Sequence, residues 1–188
     1  NQRVREYRFT IKELERHIIV SEEVPCLANW IIRGELLKDE GHYIGEIRNN
    51  LIRMPGSFRK QKLQLEFSQF LKSYLNCKDS LESNQHFDAY RHIINALYRW
   101  AKMALIEQGK LPMSNVWDLV KSINPGIYKL YEELTDSPET IEQRIELILL
   151  ALEFSVLSRI KEFCHYLLEV MSTRKEPWTE AELYTAMK

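Results

Sequence analysis

Five polar residues recur at alternating steps of four and three along one stretch of the chain: Asp88, His92, Asn95, Arg99 and Lys102. We call this set the polar line. Residues at this spacing share one side of an α-helix, because successive residues turn by ~100°. An acid, an imidazole, an amide and two cations in a row could bind a polar ligand. The same pattern is equally that of a solvated helix face, and periodicity alone does not decide between the two.

The helix that must carry the polar line is predicted from the apolar residues beside it. They recur at three- and four-residue steps, which is typical of a helix packed on a core: Phe87, Tyr90, Ile94, Leu97, Ala101 and Leu105. The polar line is offset by one residue, so it lies on the flank of the buried face. Gly109 is a helix-terminating signal that ends the segment.

Composition excludes several classes of protein. The 188 residues are 45% hydrophobic and 28% charged, as in a soluble globular protein, and the net charge of −1 makes nucleic acid an unlikely partner. Three widely spaced cysteines form neither a disulfide framework nor a zinc motif, which indicates a reducing cytoplasm. The most apolar run, residues 147–157, contains Glu153 and is too short to span a membrane. We therefore predict a cytoplasmic protein without membrane partners.

The first fifty-odd residues carry the only predicted β character. Alternation of Tyr7, Phe9 and Ile11 with polar residues predicts a strand over residues 3–11. Residues 12–19 read as a short helix, and strand pieces at residues 30–32 and 35–37 could flank Gly34. Residues 43–53 are predicted to be helical, ending before Pro55-Gly56.

From Ser57 onward the pattern predicts helices joined by short turns. Predicted N-caps precede the successive helices: Ser57, Ser114, Asn124, Ser137 and Thr179. The longest helix is expected at residues 138–172, as the central helix of a bundle. The predicted fold is therefore mainly α: a helical bundle of three long helices plus shorter ones, with a small α/β remnant at the N-terminus.

Two further pairs of residues have alternative interpretations. Glu66 and Glu153 occupy matching LEFS segments and could hold a metal ion, but the better prediction is that each is half-exposed or paired with an arginine such as Arg144 or Arg159, so no metal site is assigned. Arg159 and His165 have the loose spacing of a HEPN-type ribonuclease motif. Ile160 replaces the polar residue that usually follows the arginine, which disfavours ribonuclease activity.

Several segments resemble nucleotidyltransferase-like bacterial proteins of the YgxA type. The residues that carry the resemblance are GELLKDEGHY (34–43), FRKQKLQLEFSQFLKSYL (58–75), FDAYRHIINALYRWAKMALIEQGKLP (87–112), VWDLVKSINPGIYKLYEELTDSPE (116–139), RIELILLALEFSVLSRIKEF (144–163) and PWTEAEL (177–183). The resemblance implies that residues 1–55 are the tail of a nucleotidyltransferase-like catalytic domain and that residues 56–188 form a HEPN-like, substrate-binding helical bundle. The family's Gly-Ser turn and metal-binding aspartates would precede Asn1.

The resemblance implies a division of labour with a catalytic domain of the same protein. That domain would bind NTP and Mg²⁺, whereas this chain has no cofactor of its own and no catalysis by itself. The polar line would face the cleft and bind nucleotide and an unknown acceptor. Asp88 or His92 would be a general base, and Arg99 and Lys102 would meet phosphate. The alternative is a non-catalytic interaction module that forms a homodimer or partners a separate nucleotidyltransferase, as in toxin–antitoxin pairs.

Overall fold

The structure, a computed structural model, describes residues 6–19, 25–112 and 115–187. It is mainly α-helical, as the sequence predicts. The chain divides into two compact units, one ending at Arg53 and the other beginning at Met54. Among the described residues, none of the helices combines the length and the apolar composition that crossing a bilayer requires.

The first unit consists of short helices: α1 (Ile11–Ile19), α2 (Pro25–Arg33), a 3₁₀ turn (Glu40–His42) and α3 (Tyr43–Arg53). Arg48 on α3 donates hydrogen bonds to the carbonyl oxygens of Ile31, at 2.6 Å, and Gly34, at 2.7 Å. These bonds satisfy carbonyl groups at the end of α2 that have no partner within the helix. The Asp39 carboxylate accepts from two backbone N–H groups at the start of α3, which lowers the pKa of that carboxyl group.

The predicted β character of this unit is wrong wherever the structure describes the chain. Residues 6–10 form no strand and Ile11 begins a helix, while residues 3–5 lie outside the described residues. The reason is local: Thr10 and Glu13 form reciprocal side-chain-to-backbone hydrogen bonds at the start of α1. Residues 30–32 are part of α2, and residues 35–37 are irregular. The predicted helices at residues 12–19 and 43–53 are confirmed.

The second unit is built around an antiparallel pair of long helices, α4 (Gly56–Glu82) and α5 (His86–Glu107). Only three residues join them, and Asn84 adopts a positive φ of 56° there, a conformation that asparagine tolerates. The predicted end of α5 is confirmed: Gly109 has a φ of 67°, and the Lys110 N–H bonds back to the Leu105 carbonyl.

The remaining helices pack around this pair or follow it to the C-terminus. They are α6 (Val116–Ile123), α7 (Pro125–Asp136), α8 (Ile141–Ser155), α9 (Ile160–Phe163), α10 (His165–Met171) and α11 (Glu180–Ala186). The core brings together Phe67 and Phe70 of α4, Leu97 of α5, Leu134 of α7 and Leu152 of α8. Helix α5 contacts α4, α6, α7 and α8, so it is the central helix of this unit.

The predicted helix over residues 138–172 is interrupted, and it is neither the longest nor the central one. Helix α8 ends at Ser155, a 3₁₀ turn occupies Leu157–Arg159, and α9 and α10 follow as separate pieces. The apolar spacing continues through this break, with Val156 and Phe163 both buried, so the pattern gives no sign of it. Local backbone hydrogen bonding, from Arg159 N–H to the Val156 carbonyl, marks the tighter turn.

The predicted caps have mixed outcomes. The Asn124 and Thr179 side chains accept from backbone N–H groups of α7 and α11, as predicted. The prediction of Ser57 as an N-cap is wrong, because Pro55 precedes α4 and no side chain caps that end. Ser137 is also wrong for α8, where Thr140 and Gln143 form a capping box instead. The Ser114 prediction lies outside the described residues.

Candidate functional site

The first half of the polar line lies on the surface of α5. Asp88 and Asn95 are exposed, and His92 is partly buried. One guanidinium nitrogen of Arg91 lies 3.3 Å from the Asp88 carboxylate and 3.3 Å from Nε2 of His92. The acid and the imidazole are therefore tied together by a neighbouring arginine. Solvent reaches this end of the line, so a substrate could reach it as well.

The second half of the polar line turns inward onto a buried carboxylate. Arg99 lies 3.1 Å and Lys102 3.2 Å from the two carboxylate oxygens of Glu66 on α4. The side chains are only 15%, 11% and 9% exposed, for Arg99, Lys102 and Glu66 respectively. Screening by water is weak at such burial, so loss of any one partner would leave a buried charge uncompensated.

The change of surroundings along the polar line follows from helix geometry. Ile106 lies eighteen residues after Asp88, which is five full turns at 3.6 residues per turn. It therefore continues the same line, yet it is fully buried. From Ala101 onward α5 is covered on nearly all sides, because Met103, Ala104 and Leu105 are also buried. The polar line thus runs from solvent into the interior.

Lys62 extends this buried group on the α4 side. It lies one turn before Glu66, and burial lowers its pKa from 10.5 to about 8. The negative charge of Glu66 raises that pKa, and the positive charge of Lys102 lowers it further. We call Lys62, Glu66, Arg99 and Lys102 the cation cluster. In the sequence, the i,i+4 spacing of Lys62 from Glu66 is the signal that could have identified it.

The cation cluster has three cationic side chains around one carboxylate and does not fit Mg²⁺. Magnesium takes carboxylate and water oxygens in an octahedral shell. The single carboxylate of the cluster, Glu66, already meets two cations, which would repel a metal ion. The described residues include no group of three histidine, cysteine or acidic side chains placed to hold a metal.

The two LEFS glutamates have different surroundings and do not share a site. The Glu153 carboxylate accepts a hydrogen bond from the Tyr74 hydroxyl and lies 3.5 Å from the Lys78 ammonium. The prediction for these glutamates is confirmed in kind, because Glu66 pairs with an arginine, Arg99, and Glu153 is half-exposed. The two arginines named as examples have other partners. Arg144 donates to the Leu134 carbonyl at 3.1 Å, and Arg159 contacts Glu107 and Glu162.

Arg159 and His165 also make separate contacts. Arg159 lies in the 3₁₀ turn after α8, 2.5 Å from Glu107 and 2.6 Å from Glu162. His165 begins α10 and lies 3.1 Å from Glu169. Each side chain of the loose ribonuclease spacing therefore has carboxylate partners of its own.

Comparison with known proteins places these helices in a family. A family model described as "YgxA-like substrate binding domain" matches residues 60–159, more than half of the chain. The chain belongs to this family. The YgxA-like match contains α5 entirely and nearly all of α4, so it includes every residue of the polar line and of the cation cluster.

Two relatives agree with this membership. The chain is 31% identical over 189 residues to the uncharacterized protein YgxA of Bacillus subtilis, an alignment that covers 96% of this chain and 64% of the relative. It also resembles the crystal structure of a nucleotidyltransferase-like protein from Exiguobacterium sibiricum, with a TM-score of 0.78 and 30% identity, over 92% of this chain and 59% of the other. The chain thus spans less than two thirds of the length of either relative.

Proposed function

We propose that this chain is the substrate-binding part of a nucleotidyltransferase-like protein and that the polar line contacts the substrate. The observation that carries the proposal is the family match at residues 60–159, which contains the polar line and the cation cluster together. The similarity to a nucleotidyltransferase-like protein supports the reaction class. In this proposal, NTP and Mg²⁺ bind to a catalytic domain outside this chain.

The burial gradient along α5 suggests separate roles for the two halves of the polar line. Arg99 and Lys102 are fixed by Glu66, so they can present N–H donors to phosphate oxygens without first losing side-chain freedom. Asp88 and His92 remain near solvent, where an acceptor hydroxyl would arrive and give up its proton. The helix would thus bind an acceptor at its N-terminal end and phosphate toward its buried end.

The first test replaces Asp88 and His92 together with alanine in the full translated protein that contains this sequence. We expect nucleotidyl transfer to fall by about 100-fold or more with folding unchanged, since general acid–base groups contribute ~10²–10⁴ in rate. A control replaces Lys129 with alanine, an exposed charge on α7 that is not part of the polar line. Unchanged turnover in the double variant would refute the assignment.

A second test asks where nucleotide binds. ATP with Mg²⁺ is titrated calorimetrically into this chain and into the full translated protein. Binding by the full protein alone supports a helical substrate domain that depends on a separate NTP site. Binding by neither removes the support for nucleotidyl transfer.

One observation favours a second candidate, an interaction module. Helix α8 exposes an apolar ridge on its outer side, where Leu147, Leu150 and Phe154 are 44%, 65% and 84% exposed. Exposed apolar patches of this kind mark association surfaces. Sedimentation velocity of the wild-type chain and of Phe154→Ser tests this candidate: a dimer that dissociates in the variant supports it, and a wild-type monomer rules out self-association.

A further inference from the structure

Lys62 is the member of the cation cluster that the proposed contacts with phosphate do not use. It lies on α4, one turn before Glu66, and it is partly buried. Its ammonium nitrogen lies 5.9 Å from the centre of the ring of Phe58, a partly buried residue one turn earlier on the same helix. The charges of Glu66 and Lys102 also act on this nitrogen. The amine group of Lys62 therefore has both an aromatic ring and charged groups among its neighbours.

These surroundings disfavour a positive charge on the nitrogen of Lys62. Burial has the largest effect, the carboxylate of Glu66 opposes it, and the ammonium group of Lys102 adds to it, so that the pKa of Lys62 falls to about 8. Glu66 compensates only in part, because its two oxygens also meet Arg99 at 3.1 Å and Lys102 at 3.2 Å. At pH 7.5 about a quarter of Lys62 is then a neutral amine, against about one part in a thousand for an ordinary lysine.

A partly buried lysine beside other cations is the arrangement in which lysine acts as a nucleophile. The neutral nitrogen attacks the carbonyl carbon of an aldehyde or ketone and forms an imine. The neighbouring cations have two effects on this reaction: they keep the amine neutral, and they attract a carbonyl compound that carries a negative charge. In the cation cluster, Glu66 holds Arg99 and Lys102 in place for the second of these roles.

We propose that Lys62 is a reactive amine that forms an imine with an anionic aldehyde or ketone, whose negatively charged group binds to Arg99 and Lys102. The reaction is a condensation: a carbon–nitrogen double bond replaces the carbon–oxygen double bond, and the carbonyl oxygen leaves as water with the two hydrogens of the neutral amine. The ring of Phe58 offers an apolar contact for the carbon skeleton of the ligand. The reaction involves no nucleotide, so this inference goes beyond the proposed function.

The experiment labels this chain at neutral pH with para-formylbenzoate, an anionic aldehyde, and with para-formylbenzamide, an uncharged aldehyde of nearly the same shape. Sodium borohydride reduces each imine to a stable secondary amine, and peptide mass spectrometry measures the modified fraction of each lysine over time. Neither probe is a nucleotide and no Mg²⁺ is added, so the result is independent of nucleotidyl transfer.

We expect para-formylbenzoate to label Lys62 roughly tenfold faster, or more, than Lys72, an exposed lysine of the same helix. The neutral fraction of Lys62 is about 200-fold larger, and the lower nucleophilicity of a less basic nitrogen offsets part of this gain. We also expect Lys62 to react faster with para-formylbenzoate than with para-formylbenzamide. Equal labelling of the two lysines, or equal labelling of Lys62 by the two probes, would overturn the proposal.

Two variants test the site itself. Lys102→Gln removes a cation that repels the charged form of Lys62 and attracts the probe, so it should slow labelling of Lys62 by para-formylbenzoate several-fold. Its control is Lys110→Gln, an exposed lysine that follows α5. Lys62→Arg covers the case in which Lys102→Gln fails to fold: it keeps the positive charge but has no amine, so the fast phase of labelling should disappear. Equal labelling of Lys62 in the two folded glutamine variants, or an unchanged fast phase in Lys62→Arg, would overturn the proposal.

Discussion

Replacing Glu66 with glutamine should destabilise the second unit strongly. The substitution preserves the shape of the side chain but removes the negative charge that Arg99 and Lys102 contact at 3.1 and 3.2 Å. Breaking a buried ion pair by removing one partner costs about 3–5 kcal/mol. We expect a value near the lower limit, about 3 kcal/mol, because the glutamine oxygen still accepts a hydrogen bond. In a chain of this size that lowers the Tm by roughly 6–12 °C.

The chain contains its own matched control for this experiment, the glutamate of the second LEFS segment. Glu153 is 41% exposed, so its ion pair with Lys78 is screened by solvent. Glu153→Gln should cost only about 1 kcal/mol, mainly through the weakened hydrogen bond from Tyr74. Urea unfolding followed by tryptophan fluorescence compares the two variants. A loss below 1 kcal/mol for Glu66→Gln, or equal losses in both variants, would refute the burial argument.

A double-mutant cycle then separates the pairwise contact from other effects of the substitution. Urea unfolding is measured under the same conditions for Lys102→Met, Glu66→Gln and the double variant. Because the two groups are in direct contact, the double variant should be more stable than the sum of the single losses predicts, by about 1–3 kcal/mol. Additive losses would mean that the contact contributes little.

Three further predictions follow from burial and capping. Lys62 has a folded-state pKa of about 8, below its ordinary 10.5, so between pH 8 and pH 10.5 the unfolded state binds more protons and stability rises with pH. Over that interval the free energy of unfolding of the wild type, measured by urea titration, should rise by up to about 3 kcal/mol relative to Lys62→Met. Parallel pH profiles of the two proteins would contradict the lowered pKa of Lys62. Thr140→Ala should lower the free energy of unfolding by about 1 kcal/mol and Ser137→Ala by much less, because Thr140 caps α8. Thermal unfolding compares the two variants, and a lower midpoint for Ser137→Ala than for Thr140→Ala would exclude this cap. Phe87 is 81% exposed and Leu97 is 0% exposed. Phe87→Ser should therefore change the free energy of unfolding by under about 0.5 kcal/mol, whereas Leu97→Ala should lower it by about 2–5 kcal/mol. Comparable losses would show that Phe87 is packed.

The sequence predicts most helices correctly where the decisive signal is local. Asn124 before Pro125, Thr179 before an acidic first turn and Gly109 after α5 all act within a few residues, and the structure confirms them. The N-terminal strand fails because alternation over so few residues is a weak signal. The Thr10–Glu13 capping pair next to it was the stronger one.

Features that depend on tertiary contacts were not predictable from the sequence. Phe87 continues the apolar spacing of α5, yet it is exposed, because it lies in the first turn, beyond the part that its neighbours cover. The same limit applies to the cation cluster, since no spacing within α5 shows that a glutamate on α4 meets Arg99 and Lys102. The spacing of the polar line could be read from the sequence, but the increase in burial of its side chains along α5 could not.

The short connection between α4 and α5 has a consequence for how the protein folds. With three residues in the turn, contacts beside it close small loops, whereas Glu66 and Arg99 are 33 residues apart in the chain; the entropy cost of closing a loop rises only slowly with its length. Glu66 and Lys62 belong to one helix of this hairpin, and Arg99 and Lys102 to the other. All four charged groups of the cation cluster therefore meet within one helix pair and need no contact from α8. A shift of either helix along the other would separate Glu66 from Arg99 and Lys102, so the ion pairs favour a single register of the hairpin.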